Sequence, residues 1–337
     1  MIDLTILIVS YETRDLLSNC LDSVAKASID HPRLRIETIV VDNGSRDGSV
    51  DVALASSTSP RIVALVRNRG FAAAVNYGLR LRRGRHVLLL NSDAEIEPDV
   101  LSRGVEILDG TQDVGVLGVA LEHSDGRAQR SVHAFPGLQS ELIPELILRS
   151  VRPQGFPSPG PPARAEGAAS LREVEAVRGA VIFMRGDLLE ELGQFDEGYF
   201  FFLEETDYCW RVHQAGYRVL HCEALRAMHR LGASSKRRVP LATRVEFHRS
   251  LYHFLERRRG RAVAALALSV RVVRNAMTCV GLLLPAVGSD RARSRLAERW
   301  GLLLWHLRGR PRQPDLAGAL RAEAEFDGRG REGGTNG

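Results

Sequence analysis

Three short polar elements each follow an apolar run: Val9-Ser10-Tyr11, Val41 through Ser49 (VDNGSRDGS), and Leu90-Asn91-Ser92-Asp93. A carboxylate at the end of a strand can accept hydrogen bonds from a nucleobase or a ribose, and Asp42 is placed for that role. The same stretch can equally be an Asx-type turn, with Gly44 and Gly48 supplying unusual backbone angles. Further along, Glu204-Glu205-Thr206-Asp207 gathers acids where a helix begins, a place the helix macrodipole favours them. Asp207 precedes Arg211 by four residues, the spacing of an ion pair on one helix face. Neither a G-x-G-x-x-G after a predicted strand nor a G-x-x-x-x-G-K-[ST] is present, so dinucleotide and P-loop readings lose their main support.

The elements that must position these groups are legible as periodicity. Leu4 to Val9, Ile36 to Val41 and Arg61 to Val66 are short apolar, β-branched runs that predict buried parallel strands. Arg14 to Ala27 carries Leu16, Leu17, Leu21 and Val24 at helical spacing, and Ser49 to Ser56 fills the next gap, giving a β-α-β-α-β alternation. A helix over Phe71 to Arg82 leads to a fourth strand, His86 to Leu90, which stops at Asn91-Ser92-Asp93. The polar groups therefore collect at strand ends, the edge at which open α/β sheets bind ligands. Beyond residues 151–170, a Pro-, Gly- and Ala-rich stretch that reads as a loop, a strand over Ala180 to Met184 and helices at Leu188 to Leu192 and Glu205 to Ala215 make a smaller α/β half.

Composition bounds the class. At 337 residues, 44% hydrophobic and 26% charged, the chain is long enough for a sizeable core and is neither a miniprotein nor disordered. Cys20, Cys209, Cys222 and Cys279 form no C-x-x-C pair, and no charged n-region followed by an apolar h-region opens the chain, so a cytoplasmic protein with free thiols is expected. The net charge is +5, and Lys26 and Lys236 are the only lysines. Between Arg230 and Arg274 twelve basic residues face two acids, so one segment carries the positive field and an anionic partner is expected there. Nucleic acid is not expected, because no zinc-finger, RNP-type or homeodomain signature accompanies the charge.

Six blocks in order resemble the family 2 glycosyltransferases of the GT-A fold, in particular the rhamnosyltransferase-like branch, over residues 3–260. They are VSYETRDLLSNCLDSV (Val9 to Val24), VVDNGSRDGSVD (Val40 to Asp51), NRGFAAAVNYG (Asn68 to Gly78), LLLNSDAEIEPDVL (Leu88 to Leu101), FDEGYFFFLEETDYCWR (Phe195 to Arg211) and His229 in HRLGAS. The resemblance implies an α/β GT-A fold, a Rossmann-like mostly parallel sheet with flanking helices, plus a C-terminal helical extension. It implies an inverting, metal-assisted transfer of a sugar from a nucleoside diphosphate donor, dTDP- or UDP-linked, to an acceptor hydroxyl.

Carried over residue by residue, the resemblance makes Asp93 the carboxylate that holds Mg²⁺ or Mn²⁺ against the donor's diphosphate, with His229 joining that site. Asn91 stands where the family has its first Asp, and an amide offers less charge than a carboxylate. Donor binding falls to Ser10, Tyr11, Glu12, Asp42, Asn43, Asn68, Gly70, Asn76, Asn91, Ser92, Asp93 and Gly179. The catalytic base falls to Glu205, which occupies the position of the usual aspartate; Glu204 or Asp207 could serve instead, and Asp207 is kept as a support residue. Among Phe195, Tyr199, Phe200, Phe201, Phe202, Tyr208 and Trp210, part is core and one or two rings suit the apolar side of a sugar acceptor. A catalytically silent scaffold of the same fold is the alternative that Asn91 and Glu205 leave open.

The expected organisation is a nucleotide-sugar-binding half (1–118), an acceptor-binding half (119–239), a helical basic and apolar extension (240–310) and a disordered tail (311–337). Val263 to Leu284 is strongly apolar, but Arg271 and Arg274 interrupt the uncharged run that a membrane span of ~18 residues requires. This segment fits peripheral attachment to an anionic membrane surface on the inner face of the cell membrane. It equally fits a solvated helix pair or the seam of a homo-oligomer. A glycan or a polyprenyl-diphosphate-linked acceptor would suit the first reading.

Overall fold

The computed structural model describes residues 1–143, 147–148, 150, 153–155, 170–230, 239–311, 316 and 318–320. The chain divides into two compact units, one of residues 1–135 and 146–231 and the other of 136–145 and 232–337.

The first unit is built on one nine-stranded sheet. Strands β1 (Ile2–Ser10), β2 (Ile36–Asp42), β3 (Arg61–Ala64) and β4 (Gly84–Asn91) run parallel in the order β3-β2-β1-β4. Leu4, Ile6, Leu7 and Ile8 are all fully buried, so successive side chains, which point to opposite faces, all lie out of water. Only a strand covered on both faces can read as an unbroken apolar run, and helices supply the covers. On one side α1 (Arg14–Asp30) buries Leu17, Cys20, Leu21, Val24 and Ala27 at three- and four-residue spacing. Elsewhere α3 (Phe71–Leu79) packs against β1 so closely that a Cβ at Gly78 would lie 2.1 Å from Leu7 Cδ1. A short helix, α2 (Ser49–Ala55), links β2 to β3.

One sequence expectation is corrected here. The third run forms an edge strand, half-buried or exposed along its length, because β3 has a hydrogen-bonded neighbour on one side only.

Beyond β4 come β5 (Ala94–Ile96), α4 (Val100–Gly110), β6 (Val114–Glu122), β7 (Val132–His133), α5 (Leu138–Leu142), β8 (Leu171–Glu173), β9 (Ala176–Val177), β10 (Val181–Arg185), α6 (Gly186–Glu191), α7 (Glu204–Gln214) and β11 (Arg218–His229). Of these α5 belongs to the second unit. β10 inserts antiparallel between β4 and β6, β11 runs parallel to β6, and β5 and β8 pair antiparallel with β11. Both expected halves therefore share one sheet. β7 and β9 form a separate two-stranded ribbon. Where α4 crosses β10, a Cβ at Gly104 would meet the ring of the fully buried Phe183 at 2.3 Å.

The second unit consists of α5 with α8 (Pro240–Arg258), α9 (Arg261–Gly288) and α10 (Asp290–Leu307), among the described residues. Val245, Tyr252, Leu302 and Trp305 form its small core. Arg271 and Arg274 both donate to the buried carboxylate of Glu141, at 2.6 and 2.9 Å, and so fasten α9 to α5. The two arginines that break the apolar run thus have a structural use. They do not break the helix: α9 is continuous for 28 residues and, by length and composition alone, is apolar enough to cross a membrane, with a mean hydropathy of 1.5 in its most apolar window. Most of the expected loop at 151–170 and of the expected tail at 311–337 lies outside the described residues. The four cysteines are free and buried.

Candidate active site

Parallel pairing brings the carboxyl ends of β1, β2 and β4 side by side, with Ser10 opposite Asp42 and Val9 opposite both Val41 and Asn91. The buried hydroxyls of Ser10, Thr13 and Ser92 join in a chain at 3.0 and 2.9 Å, tying the end of β1 to the end of β4. Asp42 is buried. Its Oδ2 accepts from the backbone N–H of Gly44 and Ser45 at 3.2 and 2.9 Å, the Asx turn read in the sequence, while its Oδ1 is buried with no hydrogen-bond partner. Turn and ligand acceptor are thus two oxygens of one carboxylate: one shapes the loop and the other remains open. Glu12, at φ +53°, donates its backbone N–H to Ser45 Oγ and accepts the Arg46 N–H on its carboxylate, so it pins the turn containing Tyr11 to the 42–49 loop.

Several predicted donor-site residues are occupied in holding the loops. Asn43 donates to Asn68 Oδ1 and to the Gly70 carbonyl, both at 3.1 Å, and accepts from the Arg69 N–H at 2.8 Å. Gly70 has φ +89°, and a Cβ there would lie 2.6 Å from the Phe200 carbonyl oxygen, so only glycine lets these segments touch. Asn76 is buried with both ends of its amide engaged: Nδ2 donates to the Phe195 carbonyl and to Glu197, and Oδ1 accepts the Phe195 N–H. Its hydrogen bonds place the 195–203 segment.

At the other side of β4, the antiparallel register of β11 with β5 sets His229 opposite Ala94, one residue beyond Asp93. His229 Nε2 lies 3.3 Å from Asp93 Oδ1, and both side chains are largely buried. The ring's other nitrogen meets Gln129 Oε1 at 3.1 Å. Gln129 Nε2 donates to the carbonyls of His229 and Glu122, which fixes Oε1 as the end facing the ring. An oxygen that only accepts requires Nδ1 to carry the hydrogen, which leaves Nε2 as the nitrogen that could ligate an ion held between it and Asp93. Sequence reasoning missed Gln129; its place in the chain, a hundred residues before His229, carries no motif. The remainder of the expected H-x-x-G-x-S segment, from Leu231, lies outside the described residues.

Pairing of β10 with β4 brings Ala180 beside the strand end, where its carbonyl accepts the Asn91 N–H at 2.8 Å, and Asn91 Oδ1 is buried without a partner. The neighbouring Gly179 abuts the acid cluster: a Cβ there would stand 3.4 Å from Cγ and Cδ of Glu205. Burial pushes the Glu205 carboxyl above its ordinary range, while the backbone N–H groups at the start of α7 and the charge of Arg178 pull it back. Phe202 and Leu203 precede α7 with φ of +75° and +67°, a left-handed pair that costs energy for residues with a Cβ and sets the entry angle of the helix.

The three acids separate by environment. Glu204 is buried. Asp207 is fully buried, accepting from Tyr199 Oη at 3.2 Å and Arg211 Nε at 3.1 Å. Arg211 also donates to the carbonyls of Leu192, Gly193 and Gln194, so the pair is a strut between α7 and the preceding loop. Glu205 alone of the three is half-buried and keeps part of its surface in water. Phe195, Tyr199 and Tyr208 are core, whereas Phe200, Phe201 and Phe202 keep part of their surface in water.

Residues 5–165 match the family model described as Glycosyl transferase family 2. Among curated proteins, the chain is 31% identical to a Rhizobium meliloti succinoglycan biosynthesis protein over 43% of this chain and 40% of that one. It is 24% identical to a Mycobacterium tuberculosis N-acetylglucosaminyl-diphospho-decaprenol L-rhamnosyltransferase over 65% and 74% of the two chains. The match thus spans less than half the length of the first relative and about three quarters of the second. Among solved structures, a Pyrobaculum calidifontis mannosyltransferase with GDP-Man and Mn²⁺ superposes at TM-score 0.54 with 17% identity, over 90% of this chain and 87% of that one. GalNAc-T7 with UDP, GalNAc and Mn²⁺ superposes at 0.56 with 14% identity, over 76% and 48%. The fold is that of the GT-A glycosyltransferases.

Proposed function

We propose, from the match of residues 5–165 to the Glycosyl transferase family 2 model, that the protein moves a sugar from a dTDP- or UDP-linked donor to an acceptor hydroxyl, with inversion, in polysaccharide or cell-wall glycan assembly. The observation that carries this reading is the spacing of roles along one sheet edge: the open Oδ1 of Asp42, the Asp93 and His229 pair, and half-buried Glu205 against Gly179.

In this reading Asp42 Oδ1 accepts from the nucleoside and Asn91 Oδ1 accepts from a donor hydroxyl, each satisfying a buried oxygen that is otherwise costly. Asp93 and His229 suit Mg²⁺ or Mn²⁺: one hard oxygen and one neutral imidazole nitrogen face each other, and such ions fill their remaining positions with phosphate oxygens and water. A divalent ion held there would offset the charge that develops on the departing diphosphate. Glu205 takes the proton from the acceptor hydroxyl as that oxygen attacks, and its raised pKa makes it a stronger base than an ordinary carboxylate. Phe201 and Phe202 offer ring faces to the acceptor.

The Mycobacterium relative's name supports rhamnose as donor sugar and a polyprenyl-diphosphate-linked acceptor. A lipid-linked acceptor agrees with α9, which exposes Met277, Val280, Leu284 and Val287 along one stripe, with Arg291 and Arg295 exposed just past its end. Such a face suits an anionic membrane surface.

The test is a panel of dTDP-rhamnose, UDP-glucose, UDP-galactose, UDP-N-acetylglucosamine and GDP-mannose with Mn²⁺, scored for binding and slow donor hydrolysis. One sugar standing out fixes the donor. Binding of none of them removes the enzyme reading, and binding without hydrolysis or transfer to any lipid-linked acceptor leaves the silent scaffold.

A further inference from the structure

The β7 and β9 ribbon places a second feature beside Glu205. Val132 pairs with Val177, and the next rung is the Arg178 N–H donating to the Ser131 carbonyl at 2.8 Å, so Arg130 and Arg178 emerge at the same end of the ribbon. Both ends of the ribbon meet α7: at the far rung His133 Nε2 contacts Thr206 Oγ1 at 2.8 Å, and at the arginine end Gly179, next to Arg178, abuts the Glu205 side chain. Arg178 is half-buried, and its guanidinium makes no hydrogen bond or ion pair with any described residue. Cations are rarely taken out of water unless paired, because the desolvation cost is uncompensated. Burial lowers the Arg178 pKa, and the charge of Arg130 adds to the effect, so the site holds excess positive charge that Glu205 offsets only from a distance. The same field, with burial, holds His133 down to about 3, so the histidine adds no charge of its own.

We propose that Arg178, supported by Arg130, is an anion subsite that receives a phosphate group of the acceptor while Glu205 takes the proton from the acceptor's hydroxyl. The inference rests on the transferase reading for the word acceptor. A planar guanidinium matches the oxygen pairs of a phosphate bidentately. Arg178 precedes Gly179, the residue that abuts the base, so the guanidinium and Glu205 border the same space. A sugar carried on a phosphate presents its hydroxyls a ring's width from that phosphate, so one ring can span Arg178 and Glu205.

The experiment measures equilibrium binding of decyl diphosphate and, separately, of UDP with Mn²⁺ to the wild-type chain, Arg178→Gln and Arg178→Lys, with thermal melts to establish that each variant is folded. The expected result is that Arg178→Gln weakens decyl diphosphate at least tenfold and UDP less than twofold, with Arg178→Lys between the wild type and Arg178→Gln. Equal loss for both ligands assigns the subsite to the donor and overturns the proposal, as does unchanged decyl diphosphate binding in Arg178→Gln or its absence in the wild type. Binding is read without turnover. A chain that holds decyl diphosphate through Arg178 yet transfers no sugar therefore refutes the transferase reading and leaves the anion subsite standing.

Discussion

His229 and Asp93 meet because β11 runs antiparallel to β5: the strand that returns across the sheet delivers an imidazole nitrogen to within 3.3 Å of a carboxylate oxygen at the end of β4. Asp93→Ala or His229→Ala is expected to weaken Mn²⁺-dependent nucleotide binding more than tenfold and to lower kcat by orders of magnitude. Chelation should abolish transfer by the wild type, and added Mn²⁺ should restore it. Isothermal titration with and without the metal reads the first effect, and unchanged nucleotide affinity in both variants would remove these residues from the site.

Gln129 holds the His229 ring in the tautomer that directs Nε2 at Asp93. Partners of this kind typically alter metal affinity by about 10- to 100-fold when removed. Gln129→Leu should therefore reduce Mn²⁺ affinity in that range with the protein still folded. Mn²⁺ titration followed by electron paramagnetic resonance in the presence of UDP measures it directly; no change would leave Gln129 a packing residue.

Glu205→Gln is expected to lower kcat by roughly 10²- to 10⁴-fold while nucleotide affinity stays near the wild-type value. If Glu204→Gln loses turnover and Glu205→Gln does not, the base is Glu204.

The base must be ionised to accept a proton, so activity falls as pH drops through its pKa. Burial raises that pKa, and the acid limb of kcat/KM should lie above the ordinary glutamate value of about 4.3. Arg178 pulls the pKa down, so the limb in Arg178→Gln should move to higher pH. A limb that stays fixed in that variant would place the titrating group elsewhere.

Gly104→Ala tests packing apart from chemistry. Its Cβ would stand 2.3 Å from the ring of Phe183, which is fully buried and has nowhere to turn. Overpacking of this sort costs about 1–3 kcal/mol, or several degrees in Tm. Thermal denaturation should show the loss with nucleotide affinity retained.

The sheet was legible wherever burial is two-sided, because Ile6 to Val9, Ile39 to Val41 and Val87 to Leu90 are unbroken apolar runs at the ends of β1, β2 and β4. The edge position of β3 was not, since run composition does not say how many neighbours a strand has. The strand-end acids and His229 could be named from spacing and resemblance, but their division of labour could not. Asp207 and Glu205 look alike in sequence. In three dimensions one is sealed under Tyr199 and Arg211, and the other faces Gly179. Asn43 and Asn76 carried no sign that backbone groups would take up their amides. Gln129 and Arg178 lie in segments without a motif, and only the folding of β7 against β9 and of β11 against β5 gives them neighbours.

Arg211 fastens the last turns of α7 to the carbonyls of the loop before it, while the first turn of the same helix carries Glu205. The loop is thus gripped at both ends, by Arg211 at its start and by the Phe71 N–H on the Phe200 carbonyl near its tip. A backbone braced in this way can exchange the rings at 201 and 202 over evolutionary time without disturbing the carboxylate behind them. New acceptors can be recruited by variation at those two positions, with the proton-transfer geometry inherited unchanged.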